Sequence, residues 1–219
     1  PFSRQAINLL AKIGVDVWKV SSGEISAPDM LTELVNRKDP LIVSTGMSNY
    51  EEINAVVKLL RERDVIFGLL QCTTMYPTPL RYVGLNVIHE LRKQHNCIVG
   101  LSDHSGSVAP ATAAIARGCK LIELHVTFDR NMFGPDQSSS LNFSELRQVK
   151  KFSEDLFEMD TNHYDKDEIA VELQNVKSLF GKSLSLLHPQ SAGTIITDEM
   201  LIFKKPAGGL TNKKLLIGK

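Results

Sequence analysis

Two rhythms of apolar and polar residues share the first 160 positions. Short, continuous apolar runs recur near residues 16, 41, 66, 98 and 122. Each is followed by a segment whose apolar residues recur at helical spacing. The pattern predicts strands at those five places and helices over residues 3–13, 28–37, 50–63, 87–94, 108–117 and 144–158. Strands that alternate with helices in this way are repeated βα units. Runs without a polar face belong to a parallel sheet covered on both sides. Local signals agree: Pro28 suits a first helical position, Glu51 and Glu52 open their helix as the dipole favours, and Gly14 and Gly118 stop theirs.

Beyond residue 160 the rhythm changes. Residues 161–167 are polar and read as a linker, 168–180 as a helix. From residue 183 the pattern turns β-like, in SLSLL, GTIIT and LIFKKPAGG. The expected division is 1–160, 161–182 and 183–219.

Composition narrows the function classes. A chain of 219 residues suits one large domain, or one plus an appendage. With 42% hydrophobic and 23% charged residues it reads as an ordinary globular protein. The 25 basic residues balance 25 acidic ones, so no field favours nucleic acid or an anionic membrane. No apolar run approaches the ~20 residues that span a bilayer. Cys72, Cys97 and Cys119 all lie in or beside apolar runs, which fits reduced thiols and a cytoplasmic setting. The chain starts at Pro1 and enters a helix pattern with no strand before it. It reads as lacking the N-terminal part of a larger product.

The chemistry gathers at predicted strand ends. His104 and His125 close two consecutive parallel strands about 4.8 Å apart, flanked by Asp103, Glu123 and Asp129. That edge is where ligands bind in α/β sheets and barrels. Two converging imidazoles suit a divalent metal whose other positions water or substrate must fill; the alternative is that each His caps its own strand. Lys19, with Ser22 and Glu24 in the turn beyond, suits a phosphate or carboxylate, the alternative being a solvated lysine. Ser44 reads as an anion contact or as a turn hydroxyl. Tyr76 is followed by a Pro-Thr-Pro loop that fixes its direction.

Three pieces, GLSDHSG at 100–106, GCKLIELHVTFDR at 118–130 and MFGPDQSSSL at 132–141, resemble the sialic acid synthase family. The resemblance implies a (β/α)8 TIM barrel, units four to eight visible, followed by the start of a small β-rich antifreeze-like (SAF) domain. It implies a metal-dependent synthase that condenses phosphoenolpyruvate with N-acetylmannosamine or a related amino sugar and releases phosphate. His104 and His125 would bind Mn²⁺ or Mg²⁺, with Glu24 as the acid–base group. Substrate contacts would be Lys19, Ser22, Ser44, Thr74, Tyr76, Ser102, Asp136 and Lys205. Two of these depart from the family pattern: Thr74 stands where Asn is frequent, and Lys205 where an Arg from a partner subunit meets the N-acyl group. A further family lysine, on the first strands, has no counterpart here. The resemblance also implies a domain-swapped homodimer when full length.

Alternatives remain at this level. One is a legionaminic- or pseudaminic-type synthase; another is a catalytically inactive fragment. A different barrel enzyme, such as an aldolase or metal-dependent sugar isomerase, and an open doubly wound sheet complete the set.

Overall fold

The computed structural model describes residues 1–219. The chain divides into two compact units, Pro1–Asp160 and Thr161–Lys219.

The first unit alternates helix and strand in the order α1 (Arg4–Ile13), β1 (Trp18–Val20), α2 (Pro28–Arg37), β2 (Leu41–Ser44), α3 (Tyr50–Glu62), β3 (Phe67–Cys72), α4 (Leu85–His95), β4 (Ile98–Asp103), α5 (Val108–Ala116), β5 (Ile122–Thr127), β6 (Ser140–Asn142) and α6 (Phe143–Thr161). Capping fixes several starts. Ser3 accepts from the Ala6 N–H at 3.1 Å. Asn49 and Glu52 form a reciprocal box at the start of α3. Gly118, at φ 81°, follows α5 in a conformation that costs other residues a steric penalty.

All six strands run parallel, in the order β1 to β6. The sequence pattern counts five; the sixth, Ser140–Asn142, is a correction. It holds one apolar residue in three and carries no periodic signal, and parallel pairing with β5 makes it a strand.

Side chains alternate between the two faces. Trp18, Val20, Leu41, Val43, Leu69, Val99 and Leu101 pack against buried residues of the covering helices, among them Ile7, Leu34, Leu60 and Leu91. Each fully buried aliphatic side chain contributes roughly 1.5–3 kcal/mol. The opposite face carries Lys19 and Ile42 in register, then Ser44 beside Leu70 and Gly100, then Cys72 beside Ser102 and Glu123.

That second face is concave. Three strands separate β1 from β5, which in a flat sheet sets them about 19 Å apart. Lys19 Nζ nevertheless lies 2.9 Å from Glu123 Oε1. Only a sheet curled towards barrel form brings them together. At the N-terminal strand ends lies an open, mostly apolar pocket of about 270 Å³, lined by Val17, Leu41, Ile42, Phe67, Ile98 and Leu121.

In the second unit, the helix expected over 168–180 is two helices, α7 (Lys166–Glu172) and α8 (Gln174–Phe180), meeting at Leu173. Strands β7 (Ser183–Leu186) and β8 (Leu201–Lys204) pair antiparallel. GTIIT at 193–197 is not a strand, which corrects the β-like reading. Its Ile196 exchanges backbone bonds with Gly218 and Lys219 instead. No helix is long and apolar enough to cross a membrane.

Candidate active site

The C-terminal ends of β1 to β5 converge on one polar cluster. His104 follows the last residue of β4, and His125 lies within β5. Their rings meet edge to face with centroids 5.0 Å apart. His104 Nδ1 lies 3.1 Å from the carbonyl oxygen of Thr73. A carbonyl only accepts, so this contact assigns the proton to Nδ1 and leaves Nε2 as the acceptor. His125 Nδ1 faces Asp136 Oδ2 at 3.5 Å, which favours the same tautomer.

Tyr76 completes an aromatic corner. Its ring stacks on His104 at 4.3 Å and meets His125 edge-on at 5.7 Å. Its hydroxyl lies 3.3 Å from His104 Nε2. Ser102 Oγ lies 3.4 Å from the same nitrogen and donates to Glu123 Oε1 at 3.2 Å.

Burial sets the protonation states. Desolvation lowers the His104 pKa, and the neighbouring His125 pushes it the same way, so the ring is held neutral. Burial raises the Tyr76 pKa, with Cys72, Asp136 and Glu123 adding to the effect. Burial also raises that of Asp103, whose Oδ2 accepts from the Ser105 N–H and hydroxyl.

A second group of donors stands at the ends of β1 to β3. The Gly46 N–H donates to Ser22 Oγ at 2.9 Å. A methyl built on Gly46 falls 2.7 Å from both Cys72 Sγ and Ser22 Oγ, and closer still to Thr74 Oγ1. Three side chains close on its backbone, and any larger residue there must displace them. Ser44, 1% exposed, has a hydroxyl with no partner. A buried donor left unmade is costly and wants an acceptor.

The structure thus brings together Lys19, Ser102, His104, His125, Tyr76 and Asp136, and gathers Ser22 and Thr74 around Gly46. Glu24 is half-buried and opens a short turn after β1. Lys205 belongs to the second unit, where its ammonium lies 5.0 Å over the Phe180 ring.

Glu123 is the residue that sequence reasoning passed over, reading it only as a flanking acid. It takes both Lys19 and Ser102. The available signal was its spacing: two residues before His125 on a strand, it shares that histidine's face.

Can the histidines hold a metal? Both are set to offer Nε2, His104 is neutral as a ligand must be, and Nδ1 partners of this kind orient metal-binding histidines. No group of three or more His, Cys, Asp or Glu side chains is arranged to hold one. A pair leaves several coordination positions for water and substrate.

Comparison with known proteins gives one consistent answer. The family model described as NeuB family matches residues 1–164. The N,N'-diacetyllegionaminic acid synthase of Campylobacter jejuni is 32% identical over 96% of this chain and 64% of its own length. The human N-acetylneuraminate-9-phosphate synthase is 31% identical over 97% of this chain and 61% of its own. The chain therefore spans under two thirds of these relatives. A crystal structure of N-acetylneuraminic acid synthetase from Leptospira borgpetersenii, in complex with citrate, superposes with a TM-score of 0.72 at 27% identity. It covers 80% of this chain and 63% of that one.

Proposed function

From the premise that the chain belongs to the NeuB family, we propose that it carries the active site of a nonulosonic acid synthase. The substrates are phosphoenolpyruvate and an open-chain N-acyl amino sugar of the N-acetylmannosamine or legionaminic- or pseudaminic-precursor class. The reaction joins C3 of phosphoenolpyruvate to the sugar aldehyde carbon. The enol π electrons form the new bond, and the aldehyde oxygen takes a proton. Water adds at C2, loses its proton, and phosphate leaves the tetrahedral centre, giving a 2-keto acid.

The paired histidines of neighbouring strands carry this reading, each with Nδ1 facing an acceptor. His104 and His125 would hold Mn²⁺ or Mg²⁺, which when bound supplies Lewis-acid polarisation of the aldehyde. The protein's own groups do the rest. Lys19 exchanges its contact with Glu123 for the anionic substrate. The unpartnered Ser44 hydroxyl, with Ser22, Thr74 and Ser102, donates to phosphate or carboxylate oxygens. Asp136 takes sugar hydroxyls, and Glu24 moves the proton. Orientation of two bound substrates supplies a large part of such a rate enhancement.

The six strands are, in this reading, part of a (β/α)8 barrel, and the second unit the start of a SAF domain, in a cytoplasmic, domain-swapped dimer. The experiment is phosphate release from phosphoenolpyruvate with Mn²⁺ and a panel of N-acyl amino sugars, comparing residues 1–219, expected inactive alone, with a product that spans the full length of the relatives. Release by the longer product with at least one sugar supports the proposal. Metal binding by that product without release on any sugar sinks it.

A further inference from the structure

Thr78 sits in the loop between β3 and α4, is 5% exposed and touches no substrate group assigned above. Its backbone and side chain nevertheless meet both sides of the histidine site. The Thr78 N–H donates to the carbonyl of His104 at 3.0 Å. Its single hydroxyl proton is shared between the Met75 carbonyl, at 2.8 Å, and the Thr73 carbonyl, at 3.2 Å, and the Thr73 carbonyl also accepts from the Met75 N–H at 2.8 Å. The Thr73 carbonyl is the group that faces His104 Nδ1. Tyr76, between these tethers, stacks on the His104 ring.

A short cycle results. The chain leaves β3, offers the Thr73 carbonyl to the imidazole, carries Tyr76 over the ring face, and returns through Thr78 to the backbone of His104. The outer end is anchored separately. Thr73 Oγ1 donates to the Tyr82 carbonyl at 2.6 Å, and the buried Gln71 amide donates to Cys72 and Val83 carbonyls at 3.2 Å.

We infer that Thr78 is a positioning residue: its N–H on the His104 carbonyl and its hydroxyl between the Met75 and Thr73 carbonyls work with the Met75 N–H to hold the Thr73 carbonyl against His104 Nδ1, fixing the tautomer that turns the Nε2 lone pair into the site. An unconstrained neutral imidazole exchanges its proton between both nitrogens, and a ring protonated at Nε2 offers that face no lone pair. Thr78 does this without touching the ring, because the hydroxyl sets the acceptor rather than the donor. Removal of such outer partners costs about 10–100-fold in metal affinity or activity. The inference rests on the metal reading above for its consequence, but not for its geometry.

The test uses Thr78→Val, which keeps shape and loses the hydroxyl, and Thr78→Ser, which keeps the hydroxyl. The direct readout is the nitrogen NMR shifts of the His104 imidazole in metal-free protein. The parent and Thr78→Ser proteins are expected to show the proton on Nδ1. Thr78→Val is expected to show a mixture, with a thermal midpoint lowered by no more than about 5 °C. A second readout is Mn²⁺ affinity by electron paramagnetic resonance, expected about 10–100-fold weaker in Thr78→Val and restored in Thr78→Ser. A single Nδ1–H tautomer in Thr78→Val overturns the inference, as does an Nε2–H tautomer in the parent. Should the parent show Nδ1–H and bind no Mn²⁺, the tautomer assignment to Thr78 stands on the first readout and the metal reading fails.

Discussion

The two ends of the same parallel strands differ in everything except backbone. At the N-terminal ends, Leu41, Ile42, Phe67, Ile98 and Leu121 line an open, mostly apolar pocket. At the C-terminal ends stand Lys19, Ser44, Ser102, His104, Glu123 and His125, with donors and acceptors facing one another or left open. Residues four positions apart can serve opposite purposes, as Ile98 and Ser102 do on one face of β4. The apolar end supports the sheet, whereas the polar end keeps the Ser44 hydroxyl buried without a partner.

Replacing His104 by Ala separates the ends most strongly. On the proposed reading, loss of this ligand is expected to reduce synthase turnover about 10³-fold or more, while the denaturant midpoint falls less than it does for a core truncation. Leu41→Ala, at the other end, is expected to do the reverse. It removes about 2–5 kcal/mol of stability and leaves the Mn²⁺ affinity of the folded protein unchanged. Denaturant titration and phosphate release on both variants check the pair.

Gly46→Ala comes next. Its new methyl meets Ser22, Cys72 and Thr74 inside van der Waals contact, so the donors must shift. A misplacement near 1 Å costs about 10²-fold in kcat/KM. An unaltered KM for phosphoenolpyruvate would place the anion elsewhere.

Lys19→Met is smaller in effect. A hydrogen bond to a charged group contributes about 1.5–3 kcal/mol, so kcat/KM for phosphoenolpyruvate should fall about 10–100-fold. Binding that is indifferent to this change contradicts the role given to the ion pair with Glu123.

The smallest effect concerns His95, buried at the end of α4 with Nε2 unpartnered. Desolvation, then Arg61, lowers its pKa. The unfolded chain therefore takes up the proton first, and stability falls as pH drops below about 6.5 towards the folded pKa. His104 adds a fall of the same sign and Asp103 one of opposite sign. His95→Leu should flatten part of this fall in urea titrations between pH 5 and 8. An unchanged slope refutes the assignment.

Legibility in the sequence followed the same division between the ends. Strands β1 to β5 announce themselves because the face packed on the helices leaves short apolar runs, interrupted on the other face by Lys19, Ser102, Glu123 and His125. Strand β6 does not, since Ser140 and Asn142 frame one apolar residue and the neighbour supplies the order. His104 and His125 are visible as strand-end residues. Glu123 is harder to see, because its partner Lys19 lies 104 positions away and meets it only through the curl of the sheet. Thr78 is invisible to pattern reading, because its effect runs through two backbone carbonyls. GTIIT has β composition, yet Ile196 meets the chain end at Gly218 and Lys219 without extending a ladder.

The central claim is that His104 and His125 offer their Nε2 atoms to one metal at the polar end of the sheet. Diffraction at the manganese absorption edge, from crystals grown with Mn²⁺, tests it most directly. The account predicts one anomalous peak bonded to Nε2 of both histidines and absent in His104→Ala. No peak there, or a peak bonded through Nδ1, would contradict it.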